Sequence, residues 1–302
     1  MRVTYHIGLH CTDEDRALEC LLANADALAE DGLAVARPGR FRPALREAML
    51  ELKGAPAPPD RQSALLAQVV DLDAPRHVLF SSDSFLCVPQ RAIAGAALYP
   101  LVDERAPWIR NLFPQAPAHF ALALRNPATL IPALQERFRK DESFDAYLAR
   151  IEPEALSWVD MVARLRGAVP DAEITVWCNE DAALLWPEIL ALLAAGAGEA
   201  ADRTREFDGT ALAGADDFLS TLMPEDGLAR MRSYLAEHPP RDAGHRRRVV
   251  AAFLDRFARP DAVDEEFDLP GWTAPRLAAL TERYEREIAE LSHMDGIRML
   301  LP

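Results

Sequence analysis

Positive charge is what this chain lacks most. Against 48 aspartates and glutamates stand 33 lysines and arginines, a formal net charge of −15. That balance argues against non-specific binding to nucleic acid or to an anionic membrane, since both rest on cationic surface. A polyanionic ligand would need a local positive site to overcome the field of the whole molecule. Cysteine is also scarce. Cys11, Cys20, Cys87 and Cys178 are widely spaced and form no CxxC pair, which predicts reduced thiols rather than a disulfide framework. Long hydrophobic runs are missing too: the longest, Ala182 to Ala197, is broken by Pro187 and Glu188 and is too short to span a bilayer. Met1-Arg2-Val3-Thr4-Tyr5 leads straight into a strand with no targeting segment before it. Together these features predict a cytoplasmic chain with neither a membrane nor a nucleic-acid partner.

What is present suits an α/β domain. Half of the 302 residues are hydrophobic and 27% are charged, the balance of a globular protein with a sizeable core. Short β-rich runs recur at Val3–Ile7, Leu33–Ala36, His77–Ser81, His119–Leu124, Ile174–Cys178 and Ile297–Leu301. Most are continuously apolar, as strands covered on both faces should be. Helical stretches alternate with them, so the expected fold is three-layered, a mainly parallel sheet between helices. The nucleotide-fold core is expected over 1–195 of a single domain. A small-residue-rich flexible connection follows over 196–214, and then a helical cap over 215–302. Its helices are expected at Ala215–Leu222, Glu225–Glu237, Ala243–Arg259 and Thr273–His293, with Gly296–Leu301 returning to the sheet as a strand.

The first β–α junction carries the most information. The strand Val3–Ile7 runs into Gly8-Leu9-His10-Cys11-Thr12-Asp13-Glu14-Asp15 and then a helix expected to reach Glu30, where Gly32 ends it. Thr12 can serve as N-cap, with Asp15 completing a capping box. Such a junction aims backbone N–H groups and the positive helix end at an anion. Working phosphate cradles add glycines and a lysine, yet neither residue occurs between Leu9 and Arg16. A second helix is expected from Pro43 to Lys53, followed by a stiff Pro-rich connector over 55–59.

Two segments together resemble bacterial sulfotransferases that use 3′-phosphoadenosine 5′-phosphosulfate (PAPS). His6-Ile7-Gly8-Leu9, followed by the helix and by Asn24 to Leu33, is similar to members that read HIG-(L)-PKTGTT before a helix and a second strand. Leu124-Arg125-Asn126-Pro127-Ala128-Thr129 is similar to the family's LRNP or LRDP motif. The resemblance implies a P-loop-type fold with a helical C-terminal layer. It places the cofactor-binding positions at His10, Cys11, Thr12, Asp13, Glu14, Asp15, Arg125 and Ala133. The family's lysine falls on Cys11 and the proline before it on His10. Its glycine and two hydroxyl residues fall on Asp13, Glu14 and Asp15, and only Thr12 matches. Arg125 matches the arginine that holds the 3′-phosphate of PAPS or of its product PAP, while the serine expected eight residues later falls on Ala133.

These departures all weaken donor binding. A lysine at the transferred group is a large electrostatic term, and a thiol cannot replace it. Each carboxylate within about 4 Å of a phosphate would cost about 1–4 kcal/mol. The resemblance therefore implies a relative with a degenerate phosphosulfate loop, non-catalytic or binding a non-standard ligand. One alternative is an active sulfotransferase moving a sulfo group from PAPS to an acceptor the sequence does not identify. The other is a metal- or small-molecule-binding protein whose acid-lined crevice draws on His6, His10, Cys11, Asp13 and Asp15.

Several single residues carry further expectations. The loop acids can cap the helix and be stabilised by its dipole. Arg125 can hold an anion or pair with an acid of the loop. Asp83, Glu180 and Asp181 follow strands and could act as a general base, or cap the helices that come next. Trp108, Trp158, Trp177 and Trp186 are expected to pack between layers, and Arg246-Arg247-Arg248 to form a solvated face. Cys11 alone among the cysteines is placed for a lowered pKa, at a helix N-terminus, but the adjacent acids would raise it again, so no nucleophile is expected there.

Overall fold

A computed structural model of the chain describes residues 1–138, 142–195, 208–263, 267 and 269–302. The strands are β1 (Arg2–Gly8), β2 (Leu33–Val35), β3 (His77–Ser81), β4 (Ile93–Ala94), β5 (Ala97–Leu98), β6 (Ala118–Leu124), β7 (Glu173–Cys178) and β8 (Ile297–Leu300). Six of them lie where the sequence carries its β-rich runs and form one parallel sheet in the order β2-β3-β1-β6-β7-β8; β4 and β5 make a separate antiparallel pair. From β1 the chain goes to the sheet edge at β2, returns to β3 beside β1, and then crosses to the other side, winding outward through β6, β7 and β8. The carboxyl end of β1 is thus the switch point at which open α/β sheets bind ligands.

The helices up to the third quarter of the chain are α1 (Arg16–Ala23), α2 (Ala25–Glu30), α3 (Pro38–Leu52), α4 (Pro59–Val69), α5 (Val102–Arg110), α6 (Pro127–Phe138), α7 (Phe144–Leu148), α8 (Trp158–Ala168) and α9 (Ala182–Ala195). After them come α10 (Glu225–Glu237), α11 (Ala243–Phe257), α12 (Pro260–Val263) and α13 (Ala274–Leu291). Alternation along the strands gives the sheet two faces. Val3, Tyr5, Ile7, Phe80, Phe120, Leu122 and Val176 point to the face covered by α3, α5, α6, α8 and α13. Leu79, Ala121, Ala123 and Trp177 point to the face covered by α1 and α9. Trp158, Trp177 and Trp186 are buried between layers as expected, and Trp108 is partly buried.

Beneath α9 a polar row crosses the sheet. Thr175 Oγ1 lies 3.0 Å from His119 Nε2, His119 Nδ1 is 3.5 Å from Thr4 Oγ1, and Thr4 Oγ1 is 2.8 Å from His77 Nε2. His77 Nδ1 lies 3.1 Å from the Ala194 carbonyl. One proton assignment satisfies the whole row: each threonine hydroxyl donates to an Nε2, and each Nδ1–H donates onward. Both imidazoles are neutral in that pattern. Burial pushes His77 down to about 4. Burial, with the charges of His77, Arg298, Arg2 and His6, pushes His119 down to about 3.

Several helix boundaries depart from the sequence expectation. The first helix is two: Asn24 interrupts it by donating its side-chain amide to Cys20 O (2.8 Å) and Ala213 O (2.9 Å) and accepting from Ala213 N (2.9 Å). α3 starts at Pro38 rather than Pro43, because a proline suits the first turn, where its missing N–H has no partner to lose. In place of the helix expected over Ala215–Leu222 there is a 3-10 turn, Asp217–Thr221.

The expected connection over 196–214 lies outside the described residues as far as 207; from Asp208 onward the chain is docked on α9. The segment 215–302 does not gather into one cap. α10 and α11 pack on the outer side of α9, whereas Leu280, Tyr284 and Leu291 of α13 belong to the opposite core, and β8 pairs with β7. Arg246 and Arg247 are not a solvated face. Arg246 is buried and pairs with Asp216 (2.6 Å), and Arg247 reaches Glu188 of α9 (2.6 Å), so the two clamp α11 to the layer below. Among the described residues, no helix is long and apolar enough to cross a membrane.

Candidate functional site

The loop after β1 sits at the switch point, flanked by the ends of β3 and β6. Gly8 begins it with φ +71°, and a Cβ there would lie 3.0 Å from the Asp83 Cα, so the turn requires glycine. Cys11 (φ 61°), Glu14 (φ 52°) and Asp15 (φ 66°) also adopt left-handed backbone without being glycine. Such residues cost of order 1 kcal/mol each, so the surroundings must hold the loop in place. Among side chains, Thr12 Oγ1 donates to Leu9 O (2.8 Å) rather than capping α1. Asp13 is the capping acid: its Oδ2 accepts from Ala17 N (3.1 Å). Asp15 occupies the N-cap position without a side-chain cap bond, because its carboxylate is turned outward to Arg42.

The remaining acids are matched by arginines from distant helices. Arg42 of α3 reaches both Asp15 oxygens (2.6 and 2.8 Å) and the Ser81 carbonyl (3.2 Å). Arg137 of α6 lies 3.1 Å from Asp83 and 3.6 Å from Glu14, and also touches the Cys11 sulfur. Burial works against the charge of Asp83, but His10, Ser84 and Arg137 outweigh it and hold its carboxyl below the usual range. Asp83 therefore does not cap a short helix; it is the acid beneath Arg137. Arg125 donates from Nη1 to the Cys11 carbonyl (2.6 Å) and from Nε to Thr129 Oγ1 (3.0 Å). Thr129 stands one turn before Ala133, which packs on the core of α6 with no polar atom to offer.

Burial decides the chemistry of the remaining groups. It pushes the Cys11 thiol up to about 11, against the pull of Arg137 and Arg125, so Cys11 is a neutral thiol and not an activated nucleophile. Cys11 is almost fully covered, and Glu14 adds to the raising by burial, so the helix end does not lower it. His10 is buried with its ring parallel to Tyr99 (centroids 5.7 Å apart, 2° between planes), its Nδ1 3.1 Å from the Tyr99 hydroxyl. Burial pushes it down to about 4. His6 stacks on Trp177 and bonds Ser81 Oγ (2.9 Å) on the α9 side of the sheet, away from His10. No group of three or more His, Cys, Asp or Glu that could hold a metal ion occurs among the described residues.

Glu180 is exposed as a residue, but both oxygens of its carboxylate are engaged at the ends of β6 and β7. Its Oε1 accepts from Asn126 N (2.8 Å), and its Oε2 is 2.9 Å from the Tyr284 hydroxyl of α13, which is also 3.1 Å from Leu124 O. Burial raises the Glu180 pKa, opposed by the Asn126 and Tyr284 bonds. This brace ties the ends of β6 and β7 to α13. Tyr284→Phe is expected to lower stability by about 1–2 kcal/mol, since it strands a buried acceptor. A urea titration showing a loss below about 0.3 kcal/mol would remove the brace from the account.

The sequence singled out the loop and Arg125, and the structure brings them together. It missed Arg42, Arg137 and Tyr99, which converge only through tertiary folding. The one local signal for Arg137 was its place on the helix that the arginine motif opens. Comparison with protein-family profiles, with curated proteins and with solved structures gives no match for this chain.

Proposed function

We propose that the chain is a ligand-binding protein on a sulfotransferase-like scaffold and does not transfer a sulfo group from PAPS. One observation carries the reading: the loop's anion-facing position is taken up by the protein's own charges. Asp15 is neutralised by Arg42, Glu14 and Asp83 share Arg137, and a neutral thiol stands where the resemblance puts a lysine. A phosphosulfate entering here would have to separate these pairs and accept nearby carboxylates, each costing about 1–4 kcal/mol. The second reading, an active transferase, draws on Arg137 itself. It lies against Cys11 beside Arg125 and could supply the cation that the lysine supplies elsewhere.

Calorimetric titration with 3′,5′-adenosine bisphosphate separates the two. The expected result is no saturable heat up to about millimolar ligand, about −4 kcal/mol or weaker. Micromolar binding that disappears in Arg125→Ala would overturn the reading and favour a donor-binding enzyme.

A further inference from the structure

A second feature lies beside the loop. Between α3 and the segment after β3 opens a cleft of about 540 Å³, within the size range of small-molecule sites. Arginines dominate its polar lining: Arg42 and Arg46 from α3, Arg91 from the turn at 89–91, and Arg105 from α5. Their commitments differ. Arg42 is held by Asp15, and Arg105 lies over the Trp108 ring (4.2 Å) with Glu104 at 3.5 Å. Arg46 and Arg91 are exposed and have no acid or hydrogen-bond partner for their guanidinium groups among the described residues. Asp83 is the acid of the lining, and Arg137 already binds it.

What sets Arg46 and Arg91 apart is that two arginines without acid partners line one cleft, in a chain of net charge −15. Some surface arginines have found acids, as in Arg61 with Glu51 and Arg276 with Glu154, while Arg37, Arg248 and Arg298 are exposed without one among the described residues, but none of these lines the cleft. The apolar lining is equally unusual. Leu50 is 49% exposed and Val88 51%, placing them among the few large hydrophobic side chains left so open, and both line this cleft. Arg46 and Leu50 are four residues apart and so share one face of α3. Arg46 and Leu50 set cation and apolar surface side by side on the α3 wall, and Val88 and Arg91 do so on the segment after β3.

We propose that this cleft binds a small amphiphilic anion. Arg46 and Arg91 hold its carboxylate, sulfate or phosphate head through charge-assisted hydrogen bonds, and Leu50 and Val88 cover its apolar body. Either half alone is insufficient: an inorganic anion leaves the apolar wall wet, and a neutral amphiphile leaves both guanidinium groups without a partner. The proposal does not depend on the loop being closed to nucleotide, because neither arginine belongs to the loop.

The test is calorimetric titration with octyl sulfate and with octanoate below their micelle concentrations, against inorganic sulfate and 1-octanol. At least one amphiphilic anion is expected to saturate a single site with Kd on the order of 0.1–1 mM. Inorganic sulfate and octanol are expected to bind at least about tenfold more weakly. The double variant Arg46→Ala/Arg91→Ala, whose side chains are exposed and whose melting temperature should be unchanged, is expected to lose at least about tenfold in affinity. Preference for octyl sulfate assigns a sulfate- or phosphate-type head, and preference for octanoate a carboxylate; both support the site. Failure of both probes to saturate overturns the proposal. So does equal binding by the double variant, or binding of inorganic sulfate or octanol as tight as that of the amphiphile.

Discussion

Acidification from pH 7 to pH 5 is expected to lower the unfolding free energy by roughly 5 kcal/mol, well before most carboxylates titrate. The cause is three buried imidazoles. His77 and His10 are held down to about 4 and His119 to about 3, in each case chiefly by burial. In the unfolded chain each would titrate near 6.5. Between those values the unfolded state holds a proton that the folded state refuses, so stability rises with pH through this window. It is complete above about pH 6.5 and is lost as the pH falls toward 4. Each group contributes about 2 kcal/mol between pH 7 and pH 5. Glu180 and Asp181, whose pKa values are raised by burial, work in the opposite direction and offset part of the loss. A native ensemble of ordinary stability, about 5–15 kcal/mol, would be close to exhausted near pH 5.

Urea titrations at pH 7, 6 and 5 measure this directly. In the row beneath α9, protonating His119 would also turn its Nε2 from acceptor to donor against the Thr175 hydroxyl. His119→Asn should remove about a third of the pH dependence even if it lowers stability at pH 7. A midpoint constant from pH 7 to pH 5 would show that these imidazoles are not buried neutral in solution.

The sheet was legible because burial on both faces leaves a mark that local reading can use. His77–Ser81 matches its predicted limits, and the other five strands differ by no more than one residue at either end. Helix ends were less legible, since what fixes them comes from elsewhere in the chain. Asn24 breaks the first helix by bonding Ala213, and nothing near Asn24 foretells that partner. The loop could be located from its junction but not read. Its acids looked like an excess of negative charge in an anion site, whereas in the folded chain Arg42 and Arg137 neutralise them from helices on either side. Long arginine side chains reach across layers, and their targets follow no sequence spacing. Arg246 shows the same limit from the other direction: within a basic run it reads as solvated, yet it is buried against Asp216.

Gly209→Ala is expected to destabilise the fold by about 3 kcal/mol or more, at the upper end of what overpacking costs. Gly209 is buried in a 3-10 turn, Gly209–Ala211, whose start is capped by Asp208. A Cβ at this position would sit 1.9 Å from the Pro187 carbonyl oxygen, 2.8 Å from its carbon and 3.0 Å from its Cα. Those atoms are the backbone of α9, which is buried along nearly its whole length, so no rotamer change can make room. The turn would have to lift, and with it Leu212, Ala215 and Phe218, whose ring stacks on Trp186 at 4.3 Å. The backbone of Gly209 is not left-handed, so the cost is steric rather than conformational. Gly167 in α8 provides the contrast, since a Cβ there meets nothing within 4 Å. Gly167→Ala should stabilise by about 0.5–1 kcal/mol through helix propensity. Opposite signs in paired urea titrations would place the return of the chain onto α9 among the contacts that hold the domain together; a Gly209→Ala cost below about 1 kcal/mol would mean the turn is free to move off the helix without loss.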